Sequence, residues 1–180
     1  ITLCEVRVVA DVQDDIVAAL QALSARYAHV FTSGGIGPTH DDITADAVAL
    51  AMGATIGHRA DAMALLQAHY DRAGLPFNEA RQRMARIPDG AALIDNPVST
   101  APGFTLGNVH VMAGVPNIFQ AMVASVLPKL TGGPPLLSQS LRVAMVSEDW
   151  YKKLPADRKA AFDAAVVKAH AANRAWVKTS

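Results

Sequence analysis

Leu3, Val6, Val8 and Val9 are interleaved with Thr2, Glu5 and Arg7 at the start of the chain, a pattern that predicts a strand. Cys4 falls inside it, where a small buried hydrophobe is expected. The period then changes. Asp11 is the expected N-cap, and Ile16, Val17, Leu20 and Leu23 recur at helical spacing before Tyr27. A short apolar run at 28–32 leads into Ser33-Gly34-Gly35-Ile36-Gly37-Pro38, and a second helical pattern runs from Thr44 through Ala47, Val48 and Leu50 to Met52, with Gly53 as its stop. Strand, helix, strand, glycine-rich loop, helix is a βαβα order. Its physical solution is a mostly parallel sheet with helices on both faces, an α/β fold whose ligands gather where strands end.

Residues 59–73, closed by Gly74 and Pro76, predict a helix with Met63, Leu65 and Leu66 inward, and Asn78 is placed to cap a short helix through Met84. A short strand is expected at 91–94, then a hairpin over 104–113 turning at Leu106-Gly107-Asn108. Gly114-Val115-Pro116 leads into a helix from 117 to about 126, with Met112 and Met122 as core fillers. Residues 141–146 predict one more strand, with Met145 in its core. Residues 155–177 predict an alanine-rich helix carrying Phe162, Val166, Ala169 and Trp176 near one face, and Trp150 and Trp176 are candidates to anchor it.

The 180 residues are 51% hydrophobic and 18% charged, enough apolar material for one sizeable core and too much for a disordered chain. No apolar run reaches the roughly 18 residues a membrane span needs. Sixteen basic residues balance sixteen acidic ones, which removes the usual electrostatic argument for a nucleic-acid partner. One cysteine excludes an internal disulfide and a multi-cysteine zinc site, and with no signal-peptide pattern the cytoplasm is the expected location. Charge is unevenly spread: 147–180 holds seven bases against four acids, net +3, and the remainder nine against twelve, net −3. A boundary near 143–147 is expected from that shift.

The candidate chemistry lies in TSGGIGPTHDDIT at 32–44. Gly34, Gly35 and Gly37 let the backbone turn tightly so that its N–H groups can face phosphate oxygens near a helix N-terminus, and Thr32, Ser33 and Thr39 add hydroxyls. Asp41 and Asp42 beside an anion cradle make sense when a divalent cation bridges carboxylate and phosphate. On the spacing alone, a plain turn with Asp42 capping the helix and Asp41 solvated stands equally open. The loop lacks the Gly-Lys-Ser/Thr ending of a P-loop and the GxGxxG of a dinucleotide fingerprint. His40 reads as a loop hydrogen-bonder rather than a metal ligand, His29, His58, His69, His110 and His170 are scattered, and Ser99 and Ser138 have no acid-base partner in the pattern.

TSGGIGPTHDDIT closely resembles the signature of the MoaB/Mog molybdopterin-binding domain family, in its CinA-like branch, and NPVSTAPGF at 96–104 and GNVHVMAGVPNIFQAM at 107–122 continue the resemblance in order. It covers residues 1 to about 143. The resemblance implies a three-layer α/β sandwich in which the TSGGIG and GVP loops form a cleft for a phosphorylated pterin or a nucleotide. Gly34, Gly35 and Gly37 would line it, with Thr32, Ser33 and Thr39 beside them. Asp42 matches the family's functional acid, with Asp41 next to it as a second catalytic and metal candidate. Thr44 would cap the helix, and Gly114 and Pro116 would form the second loop, where Ala113 replaces a frequent proline. Thr100, Pro102 and Gly103 would flank the cleft. The implied cofactor is a divalent metal such as magnesium, with molybdopterin as a ligand. The implied activities are metal-dependent nucleotide pyrophosphohydrolysis or molybdopterin adenylyl transfer in molybdenum cofactor biosynthesis; a non-catalytic binding module is the alternative. Dimers or trimers among relatives make a homo-oligomer the expected assembly.

Relatives usually begin with a further strand and a Gly-Asp-Glu-Ile-Leu loop, so the expectation is a domain over 1–143 lacking its first strand. The segment 147–176 is similar instead to part of the solute-binding proteins of TRAP transporters, implying a helical tail at 144–180 of separate origin.

Overall fold

In a computed structural model of the protein, which describes residues 2–130 and 148–177, the helical period after Asp11 folds as α1 (Gln13–Arg26) with Ile16, Ala19 and Leu20 buried. Its N-cap is Val12, which makes no side-chain cap, so Asp11 does not serve there. The strand expected upstream is not formed. Residues 2–10 carry no ladder, Leu3 and Val8 are 80% and 97% exposed, and Cys4 is exposed rather than buried. Alternation supplies a face for a strand but not the neighbouring edge that makes one. Glu5 ties the segment down instead: it accepts from Arg7 Nε and from Tyr27 Oη, each at 2.7 Å.

The chain then gives β1 (Val30–Ser33), α2 (Thr44–Met52), β2 (Ile56–His58), α3 (Ala60–Arg72), α4 (Glu79–Gln82), a 3-10 turn at Arg83–Ala85, β3 (Arg86–Pro88), β4 (Ala92–Ile94), β5 (Gly103–Leu106), β6 (Val109–Met112) and α5 (Pro116–Val126). Gly53 ends α2 in the left-handed region at φ 67°, as its position predicts. The Asn78 side chain accepts from Arg81 N–H and caps α4. In α3, Leu66 is fully buried and Met63 packs on the core, whereas Leu65 lies on the solvent side.

The main sheet runs β1-β6-β5-β4. It is mixed: β1 pairs parallel with β6, while the hairpin makes β5–β6 antiparallel and β4–β5 is antiparallel too. A turn as short as Gly107-Asn108 can join only antiparallel strands. β2 and β3, which the sequence pattern did not predict, form a separate antiparallel pair. Side chains on β6 alternate, and this builds the three layers. Val109 and Val111 enter the larger core with α1, α2, α3 and Phe104, while Met112 joins Ile94, Met122 and Val126 under α5. Asn108 locks the hairpin turn to the end of α1, donating from Nδ2 to the carbonyls of Ser24 and Tyr27 at 2.9 and 2.8 Å.

The chain divides into two units, Ile1–Gly133 and Pro134–Ser180. In the second, α6 (Glu148–Lys153) carries Trp150 and is followed by Leu154-Pro155 and α7 (Ala156–Val177). Tyr151 Oη donates to the Asp163 carboxylate, and Lys159 Nζ to the Lys152 carbonyl at 2.8 Å, folding the two helices together. The strand expected at 141–146, Met145 and Ser138 lie outside the described residues, as do the side chains of Ala169, His170 and Trp176.

Phe104 is the largest side chain sealed in the main core. Phe104→Ala is expected to cost about 3–5 kcal/mol, read by denaturant unfolding with an unchanged slope; a loss under about 1 kcal/mol would mean the core is not packed around it.

Candidate functional site

Gly34, Gly35 and Gly37 have three different jobs. Gly34 N–H donates to Met112 O at 2.9 Å and so extends the β1–β6 pairing by one residue, in a left-handed conformation at φ 102°. That bond removes Gly34 N–H from the donors available to a ligand. Gly35, at φ 69°, accepts from Thr44 N–H at 2.9 Å, and a Cβ there would fall on the Thr44 hydroxyl. Gly37 lies against Asp42, where a Cβ would meet the carboxylate Oδ2 at 2.6 Å. The N–H groups of Gly35 and Ile36 have no protein acceptor among the described residues.

Thr44 is buried in the first turn of α2 and packs against Gly35; it does not cap the helix, whose N-cap is Ile43 without a side-chain bond. Nor does Asp42 cap α2. It closes a turn with Thr39: Asp42 N–H donates to Thr39 O at 3.3 Å, while Thr39 N–H, at 2.9 Å, and its hydroxyl donate to Asp42 Oδ2. Partial burial pushes the Asp42 carboxyl upward, but the Thr39 hydroxyl and the backbone N–H groups of Gly37 and Thr39 outweigh it, leaving the group below the ordinary carboxylate range. Asp41 is exposed and also lowered, first by the Thr39 hydroxyl. Both are ionised at neutral pH. His40, beside them, is exposed.

A narrow cleft opens on the Gly37–Asp42 side of the loop, bounded by Asp46 of α2, Arg83 and Arg86 from the far wall, and Pro102 and Phe104. Asp46 and Arg86 form a two-pronged ion pair across it, Nη1 to Oδ2 at 2.8 Å and Nη2 to Oδ1 at 2.6 Å. Arg83 Nε donates to Thr39 O at 3.2 Å. The structure thus brings Gly37, Asp42 and Pro102 to one cleft. Gly34 and Gly114 meet on the other flank of the loop, where a Cβ on Gly114 would lie 3.1 Å from Gly34 Cα. Ser33, Thr39, Gly114 and Pro116 are exposed, and Pro116 opens α5 at its first turn. The Ala113-Gly114 loop is anchored beneath by Ala113 N–H donating to Met122 Sδ at 3.4 Å, so Met122 does more than fill space. Thr32 Oγ1 is buried with no partner among the described residues.

The NPVSTAPGF block at 96–104 divides. Asn96 organises its loop, accepting from Val98 and Ser99 N–H at 3.1 Å and donating to Ala101 O at 2.8 Å. Thr100 sits at φ 69° and bonds His69 on α3 at 2.9 Å. Gly103 is a packing residue, since a Cβ would strike the Val111 carbonyl. Asp46, Arg83 and Arg86 were not singled out from sequence; their signals were an acid in the first turn of α2 and the arginine spacing 81, 83, 86.

No group of three His, Cys, Asp or Glu converges among the described residues, so those residues alone build no metal cage. Two neighbouring carboxylates do suit an ion of the magnesium type, which takes one or two protein carboxylates and completes its shell with phosphate and water. No helix among the described residues is long and apolar enough to cross a membrane.

The sequence matches the family described as "Probable molybdopterin binding domain" over residues 1–132. It is 39% identical over 134 residues to a protein of Pyrobaculum calidifontis, covering 71% of this chain and 51% of that one. It is 38% identical over 129 residues to a CinA-like protein of Citrifermentans bemidjiense, covering 69% and 31%. A solved structure of the protein CinA, with unknown function, from Thermoplasma acidophilum matches with a TM-score of 0.59 and 33% identity over 66% of this chain and 72% of that one. The chain spans about half the length of the Pyrobaculum relative and under a third of the CinA-like protein.

The Thr39 turn yields a test. Because the folded Asp42 carboxyl is lowered, its contribution to stability is present above the ordinary unfolded carboxylate value of about 3.9 and is lost as pH falls through the folded value. Thr39→Val removes the hydroxyl donor, so carboxyl-detected NMR should show Asp42 titrating higher and the acid-side loss of stability should shrink; an unmoved titration would contradict the geometry.

Proposed function

The chain belongs to the molybdopterin-binding domain family and is similar over that domain to CinA-like proteins, and from that premise we propose that its glycine loop holds the phosphate of a phosphorylated pterin or nucleotide and supports metal-dependent cleavage of a nucleotide pyrophosphate bond. The observation that carries this reading is the placement of an ionised Asp42, fixed by Thr39, beside a loop whose Gly35 and Ile36 N–H groups are unspent. Unspent backbone donors ahead of a helix are what a phosphate needs, and a carboxylate there is tolerable when a cation lies between the two negative groups.

A divalent ion, when bound, supplies charge neutralisation at the phosphoryl oxygens. The chain's own residues do the remaining work. Asp42 and Asp41 offer carboxylate oxygens for the ion, Asp42 with its orientation set before any ligand arrives because Thr39 already pins Oδ2. Gly35 and Ile36 N–H groups orient the phosphate, while the absence of side chains at Gly35 and Gly37 makes room for Thr44 and for the Asp42 carboxylate. Attack by water on one phosphorus breaks the bridging P–O bond, and that oxygen leaves on the other phosphate. With ADP-ribose the products are AMP and ribose 5-phosphate. The contribution is orientation and electrostatics rather than a protein nucleophile.

The test is chromatography of reaction mixtures containing ADP-ribose and a panel of divalent metals. Expected are AMP formation that requires metal and a fall of about a hundredfold or more in Asp42→Ala. Folded wild-type protein that makes no AMP with any metal, or an Asp42→Ala variant of undiminished rate, would overturn the hydrolytic reading. Binding without turnover would leave the loop as a ligand-binding module.

A further inference from the structure

Four charged side chains face the cleft beside the glycine loop: Asp42, Asp46, Arg83 and Arg86. Asp46 and Arg86 satisfy one another through two parallel bonds. Asp42 is committed to Thr39. Arg83 is different. Its Nε is used on the Thr39 carbonyl, while Nη1 and Nη2 have no carboxylate or carbonyl partner among the described residues. The bond it does make is to the very residue that fixes Asp42, so one turn of backbone holds the acid on one side and the guanidinium on the other.

We propose that Arg83 is the second arm of the anion site, donating from Nη1 and Nη2 to the phosphate linked to the one held at the Gly35–Ile36 donors. The proposal rests on the phosphate-binding reading of this loop and assigns the far wall of the cleft a direct part in it. Three features carry it. A guanidinium presents its donors in a planar fork that matches two phosphate oxygens. Using Nε on a backbone carbonyl fixes the plane of that fork and reduces the rotamer freedom lost on binding. Arg83 also comes from the 3-10 turn between α4 and β3, an element separate from the glycine loop, so a ligand would be gripped from both sides. The class of ligand this selects is one with at least two linked phosphates: one for the loop and its cation, the next within reach of the arginine. Neighbouring Arg81 has no such role, because its guanidinium lies 4.4 Å over the Tyr70 ring and also donates to the Pro76 carbonyl.

Binding of inorganic pyrophosphate, inorganic phosphate and ADP-ribose to the whole chain, with magnesium present, tests this by calorimetry, with circular dichroism and melting to establish folding of each variant. Arg83→Ala is expected to weaken pyrophosphate and ADP-ribose by about tenfold or more, to weaken single phosphate much less, and to melt like the wild type. Arg83→Lys, which keeps charge but loses the fork, should fall between, and Arg81→Ala should bind as wild type. Equal losses for phosphate and pyrophosphate would mean Arg83 only pins the loop and would overturn the proposal, as would wild-type affinity in Arg83→Ala. Both of those results leave the binding reading of the loop intact. Failure of the wild type to bind any of the three ligands would overturn that reading and this one together.

Discussion

Two backbones must pass almost in contact for the candidate site to exist. β1 and β6 run parallel in the register Val30 to Val109 through Ser33 to Met112, and the pairing is extended by one residue when Gly34 N–H reaches Met112 O. Both chains then leave the sheet at the same level, and Gly34 and Gly114 lie face to face with no side chain between them. A parallel pair puts the ends of both strands on one edge, so the loops that follow are neighbours by topology. Glycine at 34 and 114 converts that neighbourhood into near contact. The mixed sheet around it, with β5 and β4 added antiparallel, serves to bury Val109, Val111 and Phe104 and hold this parallel pair still.

Electrostatics settles the rest of the cleft. A carboxylate beside an anion site repels the ligand it is meant to hold; Asp46 has its charge offset by Arg86, whereas Asp42 is oriented by the neutral Thr39 and keeps its charge. The Asp46–Arg86 pair also joins α2 to β3, bridging two segments forty residues apart, and is half-shielded from solvent, so its value lies more in setting the width of the cleft than in net stability.

The glycine loop, the α2 helix with its Gly53 stop, the hairpin at Gly107-Asn108 and Asn78 as a cap were all legible in the sequence, because each rests on local chemistry: conformational freedom, a terminal donor left over, a tight turn. What was not legible depends on partners. The alternation at Leu3 to Val9 lacks an edge to pair with, and Cys4 is exposed with it. β2 and β3, three residues each and mixed in polarity, are strands only because they find one another. Thr44 has the composition of a cap but is drawn inward by Gly35. Arg83 and Arg86 are turned toward the loop only by the fold, which no local pattern at 81–86 dictates.

Amide hydrogen exchange, resolved residue by residue with and without ADP-ribose and magnesium, tests most directly whether this loop is where phosphate is held. Exchange at Gly35 and Ile36 should slow on ligand addition while Gly34, already bonded to Met112, stays as it was. Saturating ligand that leaves Gly35 and Ile36 unchanged while protecting residues elsewhere would contradict the assignment of the site.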